Sequence, residues 1–265
     1  ERRYHTDWDQ NKFWRLFQFG WPIWASAFPL IAVYQGDRIV VGHMLGMEEL
    51  ASYAAAFMIA MVPGLIAGKV GSSLMLPLLG QRKHHPAAFQ TLYMQLTDAT
   101  VIVAASYVTV FICAGDRILP LAFGDNYTGL GTVLAWLAAM WAMRMVQAVP
   151  GIALMAQGET RPLLIAGIIR AAGLVLVLIA ASSGYGLTGI AAAGCAAELS
   201  SLLYVAVRAG RSRKGLTAGF LGRFVALVLS AWFALVCSRL IAFESTAILI
   251  VQTLVIAAIV SSVLL

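Results

Sequence analysis

Seven ionisable residues fall inside stretches that are otherwise apolar or aromatic: Asp37, Arg38, Lys69, Asp98, Arg144, Arg170 and Glu198. A charge near a bilayer centre costs at least about 2.5 kcal/mol even on lenient insertion scales, so such groups face protein, water or one another rather than lipid. Two kinds of chemistry are open to them. Cations left over after internal pairing bind an anion, Arg through a planar fork matched to phosphate oxygens and Lys as a point charge. Buried carboxylates either neutralise those bases or take up and release a proton or cation during a cycle. Arg144 leads the cations, because it has no acid within a turn of it on its own helix and has Gln147 beside it. Lys69 follows, since Gly68 and Gly71 leave room for a ligand, and Arg170 completes the set. Asp37, Asp98 and Glu198 are the coupling or structural acids. Internal neutralisation stands as the competing role, as Asp37 with Arg38, Asp98 with Lys69 and Glu198 with Arg170.

The elements that must position these groups are membrane helices. Hydrophobic residues make up 61% of the 265 and charged ones 11%, with a mean hydropathy of +0.85, too apolar for a soluble core inside a wetted surface. Runs such as 246–265 are apolar on every face, which excludes the alternating strands of a barrel. The chain therefore reads as an all-α polytopic membrane protein of about eight transmembrane helices, over 13–41, 48–79, 87–114, 130–157, 163–182, 187–207, 220–241 and 246–265. Pro22 and Pro29 lie inside the first, where neighbouring groups can satisfy the freed carbonyls. Trp14, Trp21 and Trp24 suit a membrane interface. Glu48 and Glu49 suit the N-terminal turn of the second helix, and 115–129 reads as a loop.

Other chemistry is poorly represented. Cys113, Cys195 and Cys237 sit singly in apolar runs, and His5, His43, His84 and His85 have no partner at zinc-ligand spacing. There is no nucleophile–base–acid pattern and no phosphate loop, so neither an enzyme nor a cofactor or metal is expected. The formal net charge of +6 follows the helix ends. Arg82, Lys83, Arg161, Arg208, Arg211, Arg213, Lys214 and Arg223 collect at alternate ends with the N-terminal bases, and the opposite ends hold only Arg117 and Arg239. That asymmetry places the N-terminus in the cytoplasm and removes nucleic acid as the reason for the charge. The polar opening 1–12 has neither an initiator Met nor a signal-peptide core, and 246–265 has no polar exit, so both ends read as cuts in a longer chain.

The stretch from Asp37 through Gly42, Leu45-Gly46, Glu49-Leu50 and Tyr53 to Ala56 resembles the D-x-h-h-h-G-x-x-h-G-x-x-E-h-x-x-Y-x-x-A hairpin of Wzx-type polysaccharide flippases. These belong to the multidrug/oligosaccharidyl-lipid/polysaccharide exporter superfamily. Leu121 to Tyr127 and Tyr185 to Ala193 look like further family loops in the expected order, and Ala51-Ser52 is a small departure where Gly is usual. The resemblance covers about 13–213. It implies a cytoplasmic lead-in over 1–12, the second six-helix lobe of a MATE-like transporter over 13–215, and two extra helices over 216–265, the last one truncated. It implies flipping of a polyprenyl-pyrophosphate-linked oligosaccharide across the bacterial cytoplasmic (inner) membrane, for lipopolysaccharide or exopolysaccharide. The partners implied are the lipid-linked oligosaccharide, membrane lipids, the missing N-terminal lobe, and the polysaccharide polymerase and export machinery. On this view Arg144, Lys69 and Arg170 hold the pyrophosphate.

Two other functions compete. A multidrug or lipid II exporter of the same superfamily would differ mainly in cavity lining, and a drug exporter for cations should expose acids. An intramembrane glycosyltransferase or polymerase would need a large periplasmic loop with catalytic acids, which these short loops do not provide. Tyr93, Tyr107, Trp136 and Trp141 are candidates to stack on sugars, against the commoner role of packing.

Overall fold

Helix α5 (Gly131–Ala156) is the axis on which the other helices pack. A computed structural model describes residues 10–25, 27–212, 219–225 and 228–229 of the chain, and among them there are helices and no strand. The other helices are α1 (Gln10–Ala25), α2 (Ala27–Met44), α3 (Met47–Gln81), α4 (Pro86–Phe123), α6 (Arg161–Ala172), α7 (Leu174–Ser182) and α8 (Gly186–Ser212), with a single 3-10 turn at Asp125–Tyr127. Helices α3, α4 and α8 all lie along α5; α6 and α7 pack on α8, and α2 on α3, α6 and α7. Small residues on α5, including Ala138, Ala142 and Ala153, are buried at these contacts, where they let helix backbones approach.

Five segments are long and apolar enough to cross a membrane: Met47–Gln81, Pro86–Phe123, Gly131–Ala156, Arg161–Ser182 and Gly186–Ser212. The chain is thus an all-α polytopic membrane protein. Over the expected first span 13–41 the described residues are helical, as α1 and α2 on either side of position 26, which lies outside the described residues. The polar lead-in 1–9, Cys237 and nearly all of the two expected final helices lie outside the described residues, apart from helical stretches at 219–225 and 228–229.

The expected loop over 115–129 is largely helix. Helix α4 has 38 residues, about 57 Å at 1.5 Å per residue, against a hydrocarbon core of about 30 Å. It runs through the expected loop, where its Gly115-Asp116 pair makes tertiary contacts rather than a turn. Gly115 packs against the Gly131 backbone, and Asp116 Oδ1 accepts a hydrogen bond from the Gly131 N–H at 2.9 Å. That carboxylate satisfies an unpaired amide at the N-terminus of α5, which has no cap from its own side chains.

Two glycines are dictated by geometry. Gly46, at the α2–α3 turn, has φ +111°, a conformation that a side chain disfavours. Gly173, between α6 and α7, lies so close to α8 that a Cβ there would overlap the Ala197 Cβ at 2.1 Å. At the α5–α6 loop Thr160 donates to the Phe19 carbonyl of α1 at 2.9 Å. Arg208 lies 3.7 Å from Glu159 across the same end of the bundle.

Candidate functional site: a cationic cavity beside α5

The turn after α2 brings Asp37 against α3. Its carboxylate is buried and accepts hydrogen bonds from the Tyr53 hydroxyl at 2.8 Å and the Arg38 backbone N–H at 2.9 Å. The Asp37–Arg38 ion pair expected from sequence is absent: among the described residues no carboxylate lies within 4.0 Å of the Arg38 guanidinium, which sits over the Phe57 ring at 4.5 Å. Successive side chains on a helix diverge by about 100° and do not face each other. Phe57 meets Trp141 edge-on, with centroids 6.1 Å apart, and the Arg144 guanidinium lies over Trp141 at 4.6 Å. A ladder of two guanidiniums and two aromatic rings thus joins α2, α3 and α5.

Glu198 of α8 is the buried centre of the site, 1% exposed. Arg144 Nε donates to its Oε1 at 2.5 Å and Arg170 Nε to its Oε2 at 2.8 Å. Arg170 Nη2 also donates to Gln147 Oε1 at 3.0 Å. Gln147 Nε2 donates to Ser201 Oγ at 3.1 Å, and Ser201 donates to the Ala166 carbonyl at 3.1 Å. The expected Glu198–Arg170 pair is present. Arg144, expected to be without an acid, shares that acid, which arrives from α8 and so escapes any scan of Arg144's own helix. Ser201 and Gln147 complete the cluster, and the signal for them is spacing: Arg144 with Gln147 and Glu198 with Ser201 are both i, i+3 pairs on one helix face.

The expected Asp98–Lys69 pair does not form. Asp98 of α4 binds Arg223 in bidentate fashion, through Nε to Oδ1 and through Nη2 to Oδ2 at 3.0 Å. The stretch 219–225 lies against α4, where Gly219 faces Met94, and the guanidinium fork matches a carboxylate better than an ammonium does. Lys69 is exposed and has no carboxylate within 4.0 Å among the described residues.

A cavity of about 820 Å³ lies between α3, α5 and α6, and Lys69, Arg144 and Arg170 all line it. Gln147, Ser72 and Ser73 add polar groups, and Met145, Ile152, Met155 and Leu163 are among its apolar walls. Behind the guanidiniums a void of about 20 Å³ touches Asp37, Arg144, Arg170 and Glu198. Asp98 borders neither space. Lys69, Arg144 and Arg170 border these spaces against Asp37 and Glu198, three bases to two acids, and the cavity wall itself carries the three bases. Of the aromatic candidates only Trp141 lines the cavity. Tyr93 and Tyr107 are buried in the core, the latter donating to the Ala60 carbonyl at 2.6 Å, and Trp136 is 41% exposed. No cluster of His, Cys, Asp or Glu among the described residues could hold a metal ion.

Comparison with known proteins bears on this site in part. Residues 1–131 match the model of a family described as polysaccharide biosynthesis protein. The chain is 22% identical over 148 residues to the amylovoran biosynthesis protein AmsL of Erwinia amylovora. That alignment covers 56% of this chain and 38% of the relative. No solved structure matches. The matched family segment contains Asp37, Tyr53, Lys69 and Asp98, whereas Arg144, Arg170 and Glu198 lie beyond it.

Proposed function

Starting from a polytopic membrane chain that carries the sequence of a polysaccharide biosynthesis family over its first 131 residues, we propose that the protein flips a polyprenyl-pyrophosphate-linked oligosaccharide. Movement is from the inner to the outer leaflet of the bacterial cytoplasmic membrane, for cell-surface polysaccharide. The single observation that carries this reading is the convergence of Lys69, Arg144 and Arg170 on one cavity of about 820 Å³. A pyrophosphate needs several cations held away from lipid, and binding a charged group while it crosses replaces the water it leaves behind. Glu198 keeps the two guanidiniums in place through their Nε groups, and Lys69, on the opposite wall, completes the clamp.

Transport on this scheme is alternating access, with the cavity closed by the remainder of the full-length protein and the Arg82–Lys83 and Arg208 ends in the cytoplasm. Binding and reorientation involve no covalent chemistry, so the protein is not an enzyme. Exporters of cationic drugs require accessible acids. Here Asp37 and Glu198 are buried and bonded, which favours an anionic substrate.

The test is Lys69→Ala and Lys69→Glu in the full-length protein at matched membrane abundance. Loss of one charge-assisted contact of about 1.5–3 kcal/mol weakens binding about ten- to hundred-fold. Surface glycan should fall while lipid-linked precursor accumulates in the inner leaflet, more severely for Lys69→Glu. Undiminished display with Lys69→Glu would remove this cavity from the mechanism.

A further inference from the structure

We infer that the space of about 20 Å³ behind the two guanidiniums is the site of a single water molecule, through which Asp37 holds Arg144 and Arg170 in place for an anion in the cavity in front of them. The water site stands on geometry, and its use in positioning rests on the flippase reading above. Asp37 borders the small space and not the large cavity, so it acts on the anion site through other groups, as a positioning residue.

Size and charge select the occupant. An enclosed water needs about 10–15 Å³ and two to four polar partners, so the space admits one water and no organic ligand. Four ionisable side chains border it, Asp37 and Glu198 against Arg144 and Arg170. Their charges cancel, which suits a neutral dipole: a cation would face two guanidiniums, and an anion two carboxylates. Hard cations take about six or more oxygen ligands, whereas the only side-chain oxygens on this wall belong to the two carboxylates, and each of those already accepts a hydrogen bond. A carboxylate oxygen has a second lone pair for a water to donate to, and guanidinium N–H groups on the other side can donate to the water.

The site is closed to bulk solvent. Glu198 is 1% exposed, and Met140 and Val177 on its wall are buried. Among the described residues Asp37 lies more than 4.0 Å from any guanidinium nitrogen, a separation at which a bridging water is the expected link. Asp37 is itself fixed by the Tyr53 hydroxyl of α3 and the Arg38 backbone N–H. The water therefore ties this Asp–Tyr pair of the α2–α3 hairpin to the ion cluster on α5, α6 and α8. Gly194 of α8 completes the wall, where a Cβ would come 3.3 Å from the Met140 sulfur.

X-ray radiolytic footprinting of the full-length protein in nanodiscs reads the water directly, because radicals formed from a held water oxidise the sulfur beside it. Met140 should be oxidised within about tenfold of the exposed Met47, although it is buried. Val177→Leu, which fills the space from α7, should cut Met140 oxidation at least about tenfold. Val177→Ala, which removes bulk at the same place, should keep it. Binding of undecaprenyl pyrophosphate then tests the positioning. Asp37→Asn and Val177→Leu should each weaken it about tenfold, and the double variant no further, since both act through one water. A role for the Asp37 charge alone predicts the reverse, because losing an acid beside cations tightens an anion. Met140 oxidation as low in wild type as in Val177→Leu, full additivity of the two changes, or sodium-dependent binding that Asp37→Asn abolishes would overturn the bridge and leave the flippase reading standing. If wild type did not bind the pyrophosphate at all, the flippase reading and the positioning role would fall together, and Met140 oxidation would still decide the water.

Discussion

Replacing Glu198 with Ala strands two guanidiniums inside the bundle. Arg144 and Arg170 both bond to this carboxylate through Nε, and their side chains are only 10% and 13% exposed. Removing one member of a buried ion cluster costs about 3–5 kcal/mol, because the uncompensated charge stays behind. At about 2–4 °C per kcal/mol for a chain of this size, the melting temperature should fall by about 6–20 °C. Arg144→Met or Arg170→Met is milder, about 1.5–3 kcal/mol, since Glu198 keeps one charge-assisted partner. The double variant Glu198→Ala/Arg170→Met removes an acid together with a base, so it should lose less than the sum of its single changes. The assay is thermal unfolding in detergent, read by intrinsic fluorescence at matched concentration. A Glu198→Ala protein that melted within about 3 °C of wild type, or no lower than the arginine variants, would refute the shared-carboxylate account. Strict additivity in the double variant would do so as well.

Two more expectations concern the scaffold. Tyr53→Phe keeps the ring and deletes only the hydroxyl that donates to Asp37, so it should cost about 1–3 kcal/mol, visible as a lower melting temperature with unchanged helix content by circular dichroism. Gly173→Leu should be worse tolerated than Gly71→Leu. The first drives a side chain into Ala197 and the second meets only the flexible end of Met75, so membrane abundance should fall sharply for Gly173→Leu and hold for Gly71→Leu.

The sequence by itself settled what lipid energetics dictates. Apolar runs of about 20 residues define helices whatever packs on them, and charges inside those runs must find company. That logic nominated Lys69, Arg144, Arg170, Asp37, Asp98 and Glu198, and the three bases do line one cavity. The hairpin motif was legible as a pattern, and the physical reasons for three of its positions, the φ of Gly46 and the bond between Tyr53 and Asp37, are visible only in the fold. Partner choice was another matter. Asp98 meets Arg223 rather than Lys69, and Arg144 shares Glu198 with Arg170. These partners are 125, 54 and 28 residues apart in the chain, and local spacing fixes only which face of its own helix a residue occupies. Which faces meet depends on how side chains of different sizes let helices approach, at contacts such as Gly173 against Ala197 and Gly115 against Gly131. Tertiary packing therefore decided the pairing and left Lys69 without a carboxylate among the described residues.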